Sequence, residues 1–310
     1  MNSQLEKWQA TGIMPYHTEQ YTPFHVDYEY LRWVQPLLDQ PLKKGRVTDD
    51  FEFFGTVQME FDLTKGFPLM TTKRMPMKTI ATELVWMLSG DTNIKYLNER
   101  KVKLWNEWAD EKGDLGPIYG KQWRNWDAFQ FVEAHHENTE WVPDEYKKYS
   151  IDQIQMLIDE IKRAPHSKGM LVSAWNPPDL TLKKVKLRSC HPFFQCSVSA
   201  DEQYLNMKLY QRSGDFFLGV PFNIAQYALL LSLLSQVTGY KPGRLIVTEA
   251  SAHIYENHTE QMKLQLTRGP RPLPRLELNP DIKDIFEFKP EDVKIIDYDP
   301  HPRITADITV

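Results

Sequence analysis

The chain has 310 residues, of which 41% are hydrophobic and 12% aromatic, and its formal net charge is −5. This composition excludes a disordered chain, and the acidic balance argues against nucleic acid as the main partner, since such binding needs a broad basic surface. Two cysteines, Cys190 and Cys196, are too few for a disulfide framework or a structural zinc site, and the N-terminus lacks a signal-peptide profile. No stretch looks close to the roughly 18 apolar residues that span a membrane, so the expectation is a cytoplasmic protein with free thiols, no metal and no membrane partner. An anionic small ligand stays open, because a few arginines suffice to hold one.

Residues 1–45 read as an appended helical extension, with Tyr28, Leu31, Val34 and Leu37 recurring at three-residue spacing. Ile80, Leu84 and Leu88 stand four apart and predict a helix over 77–88 that carries Glu83 in apolar company. Residues 129–150 turn polar around Glu133, His135, His136, Glu137 and Asn138 and contain Pro143, which predicts a surface insertion. The paired histidines have no third ligand in view, so a solvated loop is favoured there over a metal site. Ile151, Ile154, Leu157 and Ile161 predict a second helix, and the alternating Leu205, Met207 and Leu209 predict a half-buried strand. Ile224, Tyr227, Ala228, Leu231 and Leu234 predict an amphipathic helix closed by Gly239 and Pro242. Strands and helices mix without a βαβ rhythm, and neither GxGxxG nor a Walker sequence occurs, which favours an α+β fold with one catalytic domain over 46–310.

Several residues have the chemistry of a site and also a plainer reading. Cys190 could be a nucleophile, with Arg212 favouring its thiolate, or a small buried hydrophobe. A Cys190–His191 dyad is disfavoured, because neighbours on an extended chain point to opposite faces. Glu83 could move protons with a raised pKa or be a satisfied buried carboxylate. Asn223 could cap a helix, or it could read a ligand with its paired donor and acceptor. His253 and Tyr255 could face one site or pack in the core.

Taken together these runs resemble the folate-dependent thymidylate synthase family over roughly residues 46–310. The resemblance rests on Gly66-Phe67-Pro68-Leu69 with Thr71-Thr72-Lys73-Arg74, on Glu83-Leu84-Val85-Trp86, Gly90-Asp91-Thr92-Asn93 and the run Trp105 to Gly120. It continues through Cys190-His191, Gln211-Arg212-Ser213 with Asp215, Gly219 to Leu230, His253-Ile254-Tyr255, Asn257-His258 and Tyr298 to Pro302. It implies a large mixed sheet flanked by helices, a homodimer packed sheet to sheet, a pyrimidine nucleoside monophosphate as substrate and 5,10-methylenetetrahydrofolate as one-carbon donor. It also implies that Cys190 adds to C6 of the base and that Glu83 moves protons around O4. Tyr119 and His191 belong to the surrounding network. Arg212, with Arg46, Lys168 and Ser213, would hold the phosphate. Asn223 would read the base edge, and His253 with Tyr255 the sugar. Asp215, Trp105, Trp108 and the terminal Val310 would meet the folate.

Asn223 suits the N3–H and O4 of uracil, whereas the related deoxycytidylate hydroxymethylases resemble this pattern with Asp at that position. Other positions depart from the family pattern. Ser167 is followed by Lys168-Gly169 in place of two arginines, which changes a bidentate clamp into a point charge. Ser189 replaces the Pro before the cysteine, and Glu249-Ala250-Ser251 replace a Gly-Gly-Asp run. Asp307-Ile308-Thr309-Val310 form the tail, and Val47-Thr48-Asp49-Asp50 follow Arg46. These changes surround the phosphate, sugar and lid and leave the core chemistry intact. The expectation is therefore a dUMP hydroxymethylase, in which water rather than hydride ends the reaction. Thymidylate synthase is the alternative, and a hydroxymethylase of CMP or dCMP and a non-catalytic nucleotide- or RNA-binding homologue are the lesser ones.

Overall fold

A computed structural model describes residues 25–45, 48–132, 145–182 and 185–309. The described chain opens with helices α1 (Val26–Leu31) and α2 (Val34–Leu38) and strands β1 (Leu42–Lys43) and β2 (Asp50–Asp62). Helices α3 (Met77–Leu88), α4 (Lys95–Glu99) and α5 (Tyr119–Arg124) lead into strands β3 (Trp126–Val132) and β4 (Glu145–Ile151). Helix α6 (Gln153–Arg163), strand β5 (Leu171–Ser173), helix α7 (Pro177–Thr181) and strands β6 (Phe193–Val198), β7 (Tyr204–Gln211) and β8 (Gly214–Asp215) follow. Helix α8 (Gly219–Thr238), strand β9 (Lys241–Tyr255), helix α9 (Thr259–Leu266) and a small ribbon of β10 (Arg275–Leu278) and β11 (Val293–Ile296) complete the described chain.

Seven strands form one mixed sheet in the order β1-β2-β9-β7-β6-β5, with β8 also pairing β9. β9 runs parallel to β7 and β8 and antiparallel to β2. Period-two burial sets its inner face, where Val57, Met59 and Phe61 lie beside Leu245, Val247, Leu205, Met207, Leu209, Phe194 and Cys196. The predicted strand around Leu205–Leu209 is thus found, as β7. Its other face stays open: Phe54 is 80% exposed, and Leu171 and Phe193 are exposed as well.

Helix α8 packs on β9 and β7 and differs from the amphipathic helix expected. Residues from Ile224 to Ser235 are buried in an unbroken run, because α3 and α6 cover the side turned away from the sheet. Such a helix is apolar all round. By length and composition it could cross a membrane, which corrects the expectation that no stretch approaches that limit, and 83% of its apolar window is buried inside the fold. It ends where Gly239 adopts a left-handed φ of 85° and closes the last turn onto Ser235 and Gln236.

The helix expected over 77–88 is α3, and the one expected over 151–161 begins two residues later, capped by Asp152. The extension drawn over 1–45 differs more. Its predicted period breaks at Arg32-Trp33 into α1 and α2, whose Val26, Tyr30, Leu31, Val34 and Leu37 are buried in the main core, and β1 pairs with β2. The described residues 25–45 are therefore packed as part of the main body and not as an appendage. The flanks of the 129–150 segment form the antiparallel β3–β4 ribbon, which carries exposed Phe129, Phe131, Tyr146 and Tyr149. His135 and His136 lie outside the described residues.

Candidate active site

Cys190 sits just before β6, where the chain enters the sheet beside the end of β7. Its backbone N–H donates to the Tyr119 hydroxyl at 2.8 Å, and its carbonyl accepts from the Arg212 backbone N–H at 2.8 Å. The Arg212 side chain donates Nε to the Ser189 carbonyl (2.9 Å) and Nη2 to the Arg188 carbonyl (2.8 Å), which leaves Nη2 3.9 Å from the Cys190 sulfur. Arg212 favours the thiolate, as expected, but it does not set the balance. Burial raises the thiol pKa more than the arginine lowers it, so Cys190 rests as a thiol in the ligand-free site. Cys196, on the inner face of β6, is pushed up to about 12 by burial and has no access to the site.

His191 turns away from the thiol. Its Nδ1 bonds the Tyr227 hydroxyl at 2.7 Å, and its ring stacks on Tyr119 with centroids 4.1 Å apart. Burial, with a smaller contribution from Arg212, lowers its pKa to about 3, so it is a neutral ring at every ordinary pH. A neutral imidazole bonded to Tyr227 is no base for Cys190. Glu83 on α3 is buried, accepts from the Trp105 indole N–H and from the Gln226 amide on α8, and is raised by burial to about 7. A carboxyl poised there can give or take a proton near neutrality. Trp105 holds Glu83 and meets Trp108 edge on, with ring centroids 5.7 Å apart.

Asn223 is the fifth residue of α8, so it is no N-cap; Leu218 occupies that place. Its Oδ1 accepts from Gln211 Nε2 at 3.2 Å. Asp215, from the short strand before α8, accepts from the Phe217 and Leu218 backbone N–H groups with Oδ1. Burial raises its pKa, but His258 and the Leu218 N–H outweigh that and leave it below the usual carboxylate range. It is therefore an anion in the site.

A cleft of about 340 Å³ is lined by Trp108, Ser213, Ser251, His253, Tyr255 and Thr309 together with Lys43 of β1 and the following Lys44 and Gly45, while Cys190, Arg212, Glu83, Asn223 and Asp215 lie outside its lining. His253 and Tyr255 share one side of β9, with ring centroids 4.9 Å apart, and both face this cleft. Arg46 and Val310 lie outside the described residues, although their neighbours Gly45 and Thr309 line the cleft. Lys168 is not brought to it within one chain. It is exposed before β5, and its carbonyl accepts from Gln195 at 2.9 Å.

A family model described as Thymidylate synthase matches residues 28–310. The chain belongs to the thymidylate synthase family. As a member it is a one-carbon transferase acting on a pyrimidine, in a family whose co-substrate is methylenetetrahydrofolate and whose members bind nucleotide and folate. The match begins inside α1, so α1 and α2 fall within the thymidylate synthase region, in agreement with their packing. Three supporting side chains, Gln211, Gln226 and Tyr227, were not among the expected site residues. Gln211 and Tyr227 stand within runs noted above but carry no charge that marks a role, and the hydrogen bonds to Asn223, Glu83 and His191 tie the three side chains to the site.

Proposed function

We propose that this thymidylate synthase family enzyme is a dUMP hydroxymethylase in which Cys190 adds to C6 of the base and water completes the product. Arg212, anchored by two carbonyls, offers its remaining guanidinium N–H groups to a phosphate, and the bound phosphate dianion, whose second pKa is about 6, would take the thiol proton as the sulfur adds to C6. Glu83 at about 7 can donate toward O4 as the enolate-like C5 develops, with Trp105 and Gln226 fixing its two oxygens. Asn223 presents an amide to the base edge, and His253 with Tyr255 lies where a sugar hydroxyl would reach from it. The folate fits what is present: anionic Asp215 keeps Oδ2 to accept from the pterin, and Trp108 supplies an apolar wall. Bound methylenetetrahydrofolate supplies the one-carbon unit for C5.

The observation that carries the choice of water is the polar tail. The Asp307 carbonyl is held by His258 Nε2 at 2.9 Å, Thr309 Oγ1 meets the Asn257 amide at 3.3 Å, and Thr309 lines the cleft. An apolar closing segment would expel water from the reacting carbon, whereas this one brings a hydroxyl to the cleft. Thymidylate synthase activity, giving dTMP and dihydrofolate, is the second reading, favoured by a Cys190, Glu83, Tyr119 and Asn223 arrangement that serves either ending. Incubation with dUMP and methylenetetrahydrofolate separates the two. The proposal expects tetrahydrofolate to survive turnover, and dihydrofolate formed in step with product overturns it.

A homodimer packed through the open sheet face belongs to the same proposal. Phe54, Leu171 and Phe193 are exposed there, on strands that carry alternating polar residues. Lys168 projects from the same region, and a partner copy would have to carry it to a phosphate.

A further inference from the structure

Glu249 is a buried ionisable group that the chemistry above does not use. It stands inward on β9 with no exposed surface, and neither carboxyl oxygen has a hydrogen-bond partner among the described residues. A bare buried carboxylate is costly, and burial holds this carboxyl well above the usual carboxylate range, so it is a neutral acid with one O–H to donate. Its end is crowded against the turn before Asp215. A Cβ built at Gly214 would stand 2.4 Å from Glu249 Oε2.

Across the parallel β7–β9 pairing, the residue in register with Glu249 is Gln211. Both side chains are buried, on neighbouring strands about 4.8 Å apart, so two long side chains are within reach of each other. Gln211 Nε2 donates to Asn223 Oδ1 (3.2 Å) and to the Ser213 carbonyl (3.3 Å), while Oε1 has no partner among the described residues. A buried acceptor without a donor therefore lies next to a buried donor without an acceptor.

We propose that Glu249 is a specificity-determining positioning residue, which donates to Gln211 Oε1, fixes the facing of the Gln211 amide and through it holds Asn223 in the orientation that reads uracil rather than cytosine. With its NH₂ toward Asn223, Gln211 keeps Oδ1 as the acceptor side of the Asn223 amide. That arrangement matches a base with N3–H and a carbonyl at C4, whereas the reversed amide matches cytosine, whose N3 accepts and whose exocyclic amine donates. Without the Glu249 O–H, Gln211 can turn, and Asn223 can turn with it.

This inference rests on the uracil-nucleotide reading above, and equilibrium binding tests it without turnover. The affinities of dUMP and dCMP would be measured calorimetrically for the wild-type protein and for Glu249→Gln, Glu249→Leu and Gln211→Met. Glu249→Gln keeps a donor and should hold the dUMP-to-dCMP affinity ratio within about threefold, while Glu249→Leu and Gln211→Met should lower it about tenfold or more. The double variant should be no worse than either single one, because both break the same link. If Glu249→Leu fails to fold, Glu249→Met, closer in shape and also without a donor, takes its place, because Gln211→Met removes the Asn223 contact whether or not Glu249 acts. An unchanged ratio in the variants that break the link overturns the proposal, as does an equal loss in Glu249→Gln. A wild-type protein that binds both nucleotides equally overturns the proposal and the uracil reading together. Tritium release from C5-labelled dUMP by the wild-type protein, with the ratio unmoved in the variants, overturns the role of Glu249 alone.

Discussion

Burial holds the Cys190 thiol protonated while Arg212, 3.9 Å from the sulfur, works against it. The nucleophile should therefore be generated in the nucleotide complex, with little free thiolate beforehand. Cys190→Ala should abolish tritium release from C5-labelled dUMP by about four orders of magnitude or more while nucleotide binding survives; release close to the wild-type rate would remove the nucleophile from Cys190. Asn223→Asp should move the ratio of specificity constants toward cytosine nucleotides, and an unmoved ratio would count against base reading there. At Glu83 the pKa rises from 4.5 to about 7 on burial, so the folded state keeps a proton that the unfolded chain has released. The stability tied to that proton is complete below about pH 4.5 and is lost as pH rises through about 7. Relative to the wild-type protein, Glu83→Gln should gain up to about 3 kcal/mol of unfolding free energy between about pH 4.5 and about pH 8, as read by denaturant titration. A constant difference would mean that Glu83 is already ionised in the fold. The candidate reactive residues stood out in the sequence through their motifs, because Cys190, Glu83 and Arg212 carry charge or nucleophilicity. Gln211 and Gln226 reach Asn223 and Glu83 through contacts across strands and helices, which spacing along one chain does not show.

At the scale of elements, regular periods were the readable part. Strand β7 followed from a spacing of two because one face is covered, whereas helix α3 followed from a spacing of four although Ile80–Leu84 and Trp86–Leu88 are buried nearly all round it. Helix α8 kept its position and its Gly239 stop, but its apolar surround could not be foreseen from five residues of one stripe. The β3–β4 ribbon escaped because both faces are open: with no buried side there is no alternation to detect. Helices α1 and α2 were foreseen as helical and misplaced as an appendage, since a period shows that a face is covered and not by what. One element contact is directly testable. At Gly214 an added methyl would stand 2.4 Å from Glu249 Oε2 and 2.8 Å from a Val220 methyl. Gly214→Ala should lower stability by about 1–3 kcal/mol, and adding Glu249→Ala should return part of that loss in thermal unfolding. Two independent, additive losses would show that the close approach to Glu249 is not what excludes a side chain at this turn.

For the whole molecule, the mixed sheet covers one face with α8 and leaves the other open, and the cleft forms where the ends of β1, β2 and β9, the β7–β8 turn and the tail converge. If two copies meet through the open face, Phe193→Glu together with Phe54→Glu should shift sedimentation from dimer to monomer, and unchanged sedimentation would place any dimer contact elsewhere. His258 and Asn257 hold the tail through the Asp307 carbonyl and the Thr309 hydroxyl, and Thr309 lines the cleft. The central claim is that water ends the reaction begun by Cys190. Mass analysis of the nucleotide product formed from dUMP and methylenetetrahydrofolate in ¹⁸O-enriched water tests it directly: the account predicts 5-hydroxymethyl-dUMP carrying one heavy oxygen, and dTMP without label would contradict it.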